Sequence, residues 1–175
     1  MGIEIERKFL VLSDAWRIAA HRTVDMAQGY LNDAESVVIG RQNASVRVRL
    51  EGDEARLNIK SRELGASRQE FDYVIPVDDA RALLALCVGV RVHKRRHLVN
   101  VGAHLWEIDE FLGDNAGLVV AEVELDAEDE AIDMPAWAGQ EVTHLPRYYN
   151  LNLAARPFAE WHEDERAGLD ALASG

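Results

Sequence analysis

The sequence has a single cysteine, no long apolar run and an N-terminus without an apolar leader segment. Because Cys87 stands alone, no disulfide can form within the chain, which is compatible with a reducing compartment. No apolar stretch approaches the ~20 residues that a membrane-spanning helix needs, and the charged N-terminus is unlike a signal peptide. We therefore expect a cytoplasmic protein that does not associate with membranes.

Basic residues are comparatively few. The 19 Lys and Arg face 31 Asp and Glu, so the formal net charge is −12 at pH 7. This balance argues against nucleic-acid or anionic-membrane binding driven by overall charge, although it leaves room for a local basic site. A hydrophobic content of 48% and a charged content of 29% exclude a disordered chain. With no internal repeat or long linker, we expect one domain over residues 1–175.

Alternation of apolar and polar side chains dominates the chain and predicts half-buried antiparallel strands. A helical period is confined to residues 78–88, 145–155 and 158–173, so the pattern predicts an α+β fold. Glycine-containing turns at 52–53 and 102–103 lie where hairpins would reverse the chain. The alternation is clear at 3–9, 46–50, 57–60, 70–73 and 119–125, and further strands are predicted at 24–31, 37–42, 91–101 and 104–111.

The polar positions of these strands repeat a charged residue at every second site. One interpretation is a solvated sheet face with weak cross-strand ion pairs. The alternative is a closed barrel with the charges inside and helices covering its apolar exterior, where unpaired charges would be very costly. Two divalent metal ions would bring the net charge of such an interior to roughly +3, which would match the negative charge of a compact polyphosphate. The charged set comprises Glu4, Glu6, Glu70, Asp72, Asp109, Glu122 and Glu124 with Lys8, Arg47, Arg49, Lys60, Lys94 and Arg96.

The motifs around these residues resemble the CYTH superfamily, the triphosphate tunnel metalloenzymes. The segment Glu4-Ile5-Glu6-Arg7-Lys8 matches the ExExK signature, and further motifs follow in family order. The resemblance spans about residues 1–155, is closest to the short bacterial inorganic triphosphatases, and leaves a helix at about 157–173 outside it. The following motifs are QGYL at 28–31, VRVR at 46–49, NIK at 58–60, RQEFD at 68–72, WEIDEF at 106–111, AEVE at 121–124, GQEVT at 139–143 and RYYN at 147–150.

The resemblance implies a closed eight-stranded antiparallel β-barrel with helices packed outside, which binds a small-molecule triphosphate and Mg2+ or Mn2+. The expected reaction is hydrolysis of a terminal phosphoanhydride, with inorganic tripolyphosphate as substrate and pyrophosphate and phosphate as products. Alternatives within the family are a class IV-type adenylate cyclase and a thiamine or nucleoside triphosphatase. A noncatalytic polyphosphate-binding module is the alternative outside enzymes. We expect a monomer or homodimer that binds no nucleic acid.

The resemblance also implies roles for individual residues. Carboxylates suit Mg2+ or Mn2+ because these ions prefer hard oxygen ligands, and arginine and lysine suit phosphate oxygens. Tyr30 and Lys60 are expected to act together on the attacking water. The other interpretation is that the charged residues merely pair with one another and that Tyr30 only packs against the wall. The implied metal ligands are Glu4, Glu6, Glu122, Glu124 and Asp109, with Glu70 and Asp72 as weaker candidates, and the implied substrate-binding residues are Lys8, Arg47, Arg49, Lys60, Lys94 and Arg96.

Two further expectations concern neighbouring positions. Arg95 has the opposite parity to Lys94 and Arg96, so we expect it to point away from the charged interior. Asn150, in the RYYN motif, is expected to anchor the helix that follows rather than take part in chemistry.

Overall fold

The computed structural model describes residues 2–62 and 67–168. Strands dominate this part of the chain, and the helices are short. The strands are β1 (Gly2–Val11), β2 (Arg22–Tyr30), β3 (Ala44–Glu51), β4 (Glu54–Ser61), β5 (Ser67–Val74), β6 (Val88–Val101), β7 (His104–Leu112), β8 (Val119–Glu124) and β9 (Ala138–Glu141). The helices are α1 (Ala34–Val38), α2 (Val77–Leu86), α3 (Asn150–Ala155) and α4 (Glu163–Arg166), with 3-10 turns at Asp14–Ile18, Gly113–Asn115, Pro146–Tyr148 and Phe158–Glu160.

The predicted closed eight-stranded barrel is wrong, because the strands form one antiparallel sheet of nine, in the order β5-β4-β3-β2-β6-β7-β8-β1-β9. The reason lies in β1. One side of this strand pairs with β8 over residues 6–10. Its other side is shared by two strands. Residues 2–5 pair with β5, whereas Phe9 and Val11 pair with β9. The sheet therefore ends at β9, a strand that the sequence pattern did not predict, and it is curved enough for β5 to reach β1.

Two helical predictions differ from the structure, and the strand predicted at 37–42 is replaced by the end of α1 and the turn that follows it. Residues 37–42 were expected to be extended, but Asp33 caps α1 by accepting a hydrogen bond from the Ser36 backbone at 2.9 Å. The helix expected at 145–155 is a 3-10 turn followed by α3. The helix expected at 158–173 is a 3-10 turn followed by the four-residue α4, and residues 169–173 lie outside the described residues. The helix predicted at 78–88 coincides with α2.

Both faces of the central strands are buried, which explains why charged and apolar side chains alternate along them. On β7, Trp106 and Ile108 are fully buried on the convex face. Trp106 contacts Phe9 and Trp137, with ring centroids 5.3 Å apart in each pair. The intervening positions, such as Asp109, face the concave side. Apolar packing outside thus fixes which side chains point inward.

Helix α2 covers the convex face of β2, β3 and β4. Ala80 and Leu84 of this helix are buried against Val48 and Ala55. No helix in the described residues, of which α2 is the longest with ten residues, has the length and apolarity that crossing a membrane requires.

The close approach of β2 to the end of α2 requires a glycine, which gives the first prediction. A Cβ at position 29 would lie 2.8 Å from both Cβ and Sγ of Cys87. We expect Gly29→Ala to lower the free energy of unfolding by about 1–3 kcal/mol because the clash must be relieved by a shift of α2. Urea denaturation measures this. Ala27→Ser, on the same face of β2, serves as the control and should change little. Equal stability of Gly29→Ala and the wild type would contradict the packing described.

Candidate active site

The concave face of the sheet encloses a cavity of about 420 Å3, within the range typical of small-molecule sites. It contains every predicted site residue except Asp109, together with residues of α1 and α3. The cavity is lined by seven carboxylates, Glu4, Glu6, Glu70, Asp72, Glu107, Glu122 and Glu124, and by seven cationic side chains, Lys8, Arg47, Arg49, Lys60, Arg62, Lys94 and Arg96.

Part of this charge is neutralised in a buried ion network. The two oxygens of Glu122 accept from Lys8 Nζ and from Arg96 Nη2, each at 2.8 Å. Asp109 is fully buried behind the cavity wall and is held by Arg96 at 2.7 Å and by Lys94. Although burial opposes ionisation, the charges of Lys8 and Arg96 hold the pKa of Glu122 well below its usual value. Glu122 and Asp109, both predicted metal ligands, therefore already have cationic partners.

The two cations at the centre of this network differ in how firmly they hold their protons. Burial lowers the pKa of Lys94 to about 8, with a further contribution from Arg96, despite the opposing effect of Asp109. Burial also acts to lower the pKa of Arg96, but Asp109 and Glu122 outweigh it and raise the pKa. Arg96 is consequently a permanent positive charge, whereas Lys94 is a lysine that can lose its proton near neutral pH.

The carboxylates of a second group lie close enough together to repel one another. We call Glu4, Glu6, Glu70 and Glu124 the carboxylate cluster. Burial raises the pKa of Glu124, and repulsion from Glu4, Glu70 and Glu6 raises it further. Lys60 is the cation at this cluster, with its Nζ 2.6 Å from Glu4 Oε2 and 3.6 Å from Glu70 Oε1. Lys60 thus offsets part of the negative charge of the cluster, while repulsion from neighbouring carboxylates still acts on Glu124.

The carboxylate cluster has the ligand chemistry of a divalent metal site, but its side chains are not gathered around one point. No group of three or more His, Cys, Asp or Glu is arranged to hold a metal ion in the described part of the chain. The mutual repulsion of these carboxylates and their oxygen ligands fit Mg2+ or Mn2+. Asp72 fits less well, because it accepts from Arg56 at 2.7 Å and from Asn58 at 3.2 Å.

The arginines of β3 bring positive charges together. Arg47 is 6% exposed and has no carboxylate partner within residues 2–62 and 67–168. Arg49 has an ion pair with Glu51 on its own strand, at 3.4 Å. The Nε atoms of both arginines are buried without a hydrogen-bond partner among the described residues. Burial lowers the pKa of Arg49, as do Arg47 and Arg96. Two neighbouring guanidinium groups with so little carboxylate charge around them suit the binding of an anion.

Tyr30 and Lys60 line the same cavity, as the predicted pair should. Tyr30 is 3% exposed and lies opposite Arg47 in the β2–β3 register. Its ring also belongs to an apolar cluster with Val92 and Leu153. Tyr30 therefore both packs against the wall and faces the cavity, so the two interpretations of this residue are compatible.

Sequence reasoning missed several residues of the cavity. Glu107 lies two positions before Asp109 on β7 and therefore on the same face, so the two-residue period could have identified it. It pairs with Arg96, and burial, together with Glu122 and Asp109, raises its pKa. Tyr149, whose ring centroid is 5.6 Å from Lys8 Nζ, and Asn150 reach the cavity from the start of α3. No sequence period could place them there, because they come from a helix that folds against the sheet.

Comparison with known proteins gives a consistent result. A model of the CYTH domain matches residues 2–156. The chain is 41% identical over 164 residues to an inorganic triphosphatase of Acetivibrio thermocellus, covering 93% of this chain and all of that one. It is 36% identical over 154 residues to an inorganic triphosphatase of Nitrosomonas europaea, covering 86% and 96%. The crystal structure of an inorganic triphosphatase superposes with a TM-score of 0.62 at 34% identity, covering 86% of this chain and 97% of that one.

The ion network and the carboxylate cluster predict opposite effects for two substitutions on one strand. We expect Glu122→Gln to lower the free energy of unfolding by about 3–5 kcal/mol, because Lys8 and Arg96 lose their buried counter-charge. Glu124→Gln should leave stability unchanged or raise it, since it removes one of several repelling carboxylates. Urea denaturation in EDTA measures both. A larger loss for Glu124→Gln than for Glu122→Gln would contradict this division of the cavity.

Proposed function

The chain belongs to the CYTH family, and from that membership we propose that it hydrolyses the terminal phosphoanhydride of inorganic tripolyphosphate, releasing pyrophosphate and phosphate. Two relatives named as inorganic triphosphatases match it over most of its length. The observation that carries the proposal is the pair Arg47 and Arg49, two guanidinium groups that line the cavity and whose Nε atoms lack a hydrogen-bond partner among the described residues. A multiply charged anion supplies what they lack.

The cations of the cavity would bind the phosphate chain and stabilise charge during its cleavage. The planar guanidinium groups of Arg47 and Arg49 can each donate two hydrogen bonds to phosphate oxygens. Lys8 and Arg96, together with Lys94 when it is protonated, add positive charge within ion-pair networks that are formed before the substrate arrives. Such preorganised charge stabilises the leaving group in phosphoryl transfer.

The carboxylate cluster would hold the metal cofactor, Mg2+ or Mn2+. Glu4, Glu6 and Glu124 are the strongest candidates, with Glu70 beside them, because their mutual repulsion is relieved by a cation. Glu122 is a poorer ligand, since its two oxygens are held by two different buried cations, Lys8 and Arg96. Glu4, by contrast, has one lysine, Lys60, at both of its oxygens. When bound, the metal ion supplies charge neutralisation at the phosphoryl oxygens. Asp109, enclosed behind Lys94 and Arg96, would act on the site through those cations.

Tyr30 and Lys60 would position the water that attacks the terminal phosphorus. Both line the cavity, and Lys60 lies beside the carboxylate cluster, where its Nζ donates to Glu4. A hydroxyl and an ammonium group that flank one position can orient a water molecule in line with the bond to be broken. The single ammonium group of Lys60 would then serve both predicted roles, because it would contact the substrate and the attacking water.

The remaining parts of the proposal concern the setting of the enzyme. The single cysteine favours a reducing compartment, so we place the activity in the cytoplasm, in a monomer or homodimer. The small enclosed site favours a free triphosphate over a nucleic acid as the partner.

Product analysis with tripolyphosphate, ATP and thiamine triphosphate, each with Mg2+ or Mn2+, tests the function. We expect orthophosphate release from tripolyphosphate. We also expect Arg47→Met to lower kcat/KM by about 100-fold or more, because a charge-assisted contact to the phosphate chain is lost. Arg95→Met is the matched control, since Arg95 is half exposed on the convex face and pairs with Asp25. Formation of cyclic AMP would support the cyclase alternative, and binding without turnover would support a noncatalytic module.

The metal site is tested separately by titrating Mn2+ into the metal-free protein in a calorimeter. Glu6→Gln removes a ligand from the carboxylate cluster, so we expect the Mn2+ dissociation constant to rise about 10-fold or more. Glu54→Gln, at an exposed position on β4, should leave it unchanged. Equal Mn2+ affinity in Glu6→Gln and the wild type would remove Glu6 from the site.

A further inference from the structure

Gln28 is a fully buried amide that nothing in the proposed chemistry uses. Its side chain is 0% exposed, and neither Nε2 nor Oε1 has a hydrogen-bond partner among the described residues. Leaving both polar atoms of a buried amide unpaired destabilises a protein, so such a side chain calls for an explanation.

The direction of the Gln28 side chain follows from its neighbours on β2. Gly29 faces the convex side, where a Cβ would meet Cys87 and Leu84. Tyr30, on the next position, lines the cavity. Because side chains alternate along a strand, Gln28 shares the concave face with Tyr30. Gln28 does not itself line the cavity, so its amide lies in the wall behind the lining residues.

The residue directly opposite Gln28 in the β2–β3 register is Arg49. Arg49 Nε lies 3.4 Å from Glu51 Oε2 without forming a hydrogen bond, and Gln28 has a buried carbonyl oxygen without a donor among the described residues, so the two groups are complementary. Arg47, two positions away on the same strand, also has a buried Nε without a hydrogen-bond partner in the described part of the chain. The unsatisfied groups are thus concentrated at the arginine pair that would bind the anion.

We propose that Gln28 is a positioning residue for Arg49, an inference that rests on the proposed function and adds a residue to it. When the polyphosphate draws Arg49 inward, Gln28 Oε1 accepts the hydrogen bond from Arg49 Nε. This contact fixes the plane of the guanidinium and leaves its terminal nitrogens for the phosphate oxygens.

A neutral amide suits this position better than a carboxylate. Carboxylate partners offset the charge of an arginine, as they do at Arg96, which is held in ion pairs with Asp109 and Glu122. An amide acceptor orients Arg49 without adding a second carboxylate to the contact with Glu51, so no further charge is cancelled before the anion binds. The price is an amide that is unsatisfied while the cavity is empty.

The experiment compares Gln28→Met and Gln28→Glu with the wild type. Methionine keeps the length of the side chain but cannot accept the hydrogen bond, whereas glutamate keeps the acceptor and adds a negative charge. Tripolyphosphate is titrated calorimetrically into each metal-free protein in EDTA, and Tm, kcat and KM are measured alongside. Met26→Leu is the matched control, because Met26 is a buried apolar residue on the same face of β2.

For Gln28→Met we expect the Kd of tripolyphosphate and the KM to rise about 5- to 30-fold, with kcat within about threefold of the wild type and Tm unchanged or higher. For Gln28→Glu we expect a comparable rise in Kd together with a higher Tm, because Arg49 gains a buried counter-charge. The combination of weaker binding with undiminished stability is what a purely structural role of Gln28 would not produce.

An unchanged Kd in Gln28→Met would overturn the inference, since it would mean that a buried water alone satisfies the amide. A fall in Tm with unchanged Kd in Gln28→Glu would overturn it equally, and this variant decides the matter where Gln28→Met does not fold. The proposed function fails separately, if the wild type binds tripolyphosphate but hydrolyses none; the Kd comparison then still decides the role of Gln28. No binding by the wild type would overturn both.

Discussion

The structure depends on enclosing charge on the concave side of a curved sheet, where each charged group needs a counter-charge. Lys8, Arg96 and Glu122 meet this requirement within the protein, through contacts of 2.8 Å. Elsewhere charges of one sign lie together, with mutually repelling carboxylates at the carboxylate cluster and two neighbouring guanidinium groups at Arg47 and Arg49. A cavity with both kinds of crowded charge is suited to a polyanion that arrives together with metal cations, because the anion neutralises the arginines and the metal ions neutralise the carboxylates.

Stability and function are divided between the two faces of the same strands. On the convex face, Trp106 and its aromatic neighbours bury the apolar area that holds the sheet in shape. On the concave face, unsatisfied groups such as Gln28 and Arg49 weaken the protein while preparing it to bind. Neighbouring residues of one strand face opposite sides of the sheet. A substitution on the convex face should therefore affect mainly stability, whereas one at the next position, on the concave face, should also affect binding.

The two-residue period was enough to predict which side chains share the concave face, and all but one of the predicted site residues line the cavity. The period could not predict how deeply a side chain lies in the cavity wall. Asp109 was therefore grouped with the residues that line the cavity, although it lies behind Lys94 and Arg96. Nor could the period give pairing, because nothing in β1 alone indicates that it has β5 and β9 on one side. At residues 37–42 the local cap at Asp33 outweighed β-branched composition, so α1 formed in place of a strand.

The double pairing of β1 has a consequence for how the protein is made. Arg7 on this strand reaches Glu141, 134 positions further along the chain, and the neighbouring Lys8 reaches Glu122. Contacts so distant in sequence carry a high loop-closure entropy and form late in folding. The full set of β1 contacts can therefore form only after the strands that carry Glu122 and Glu141 have been synthesised. Until then the alternating charges of Glu4, Glu6 and Lys8 oppose association of this segment with other chains.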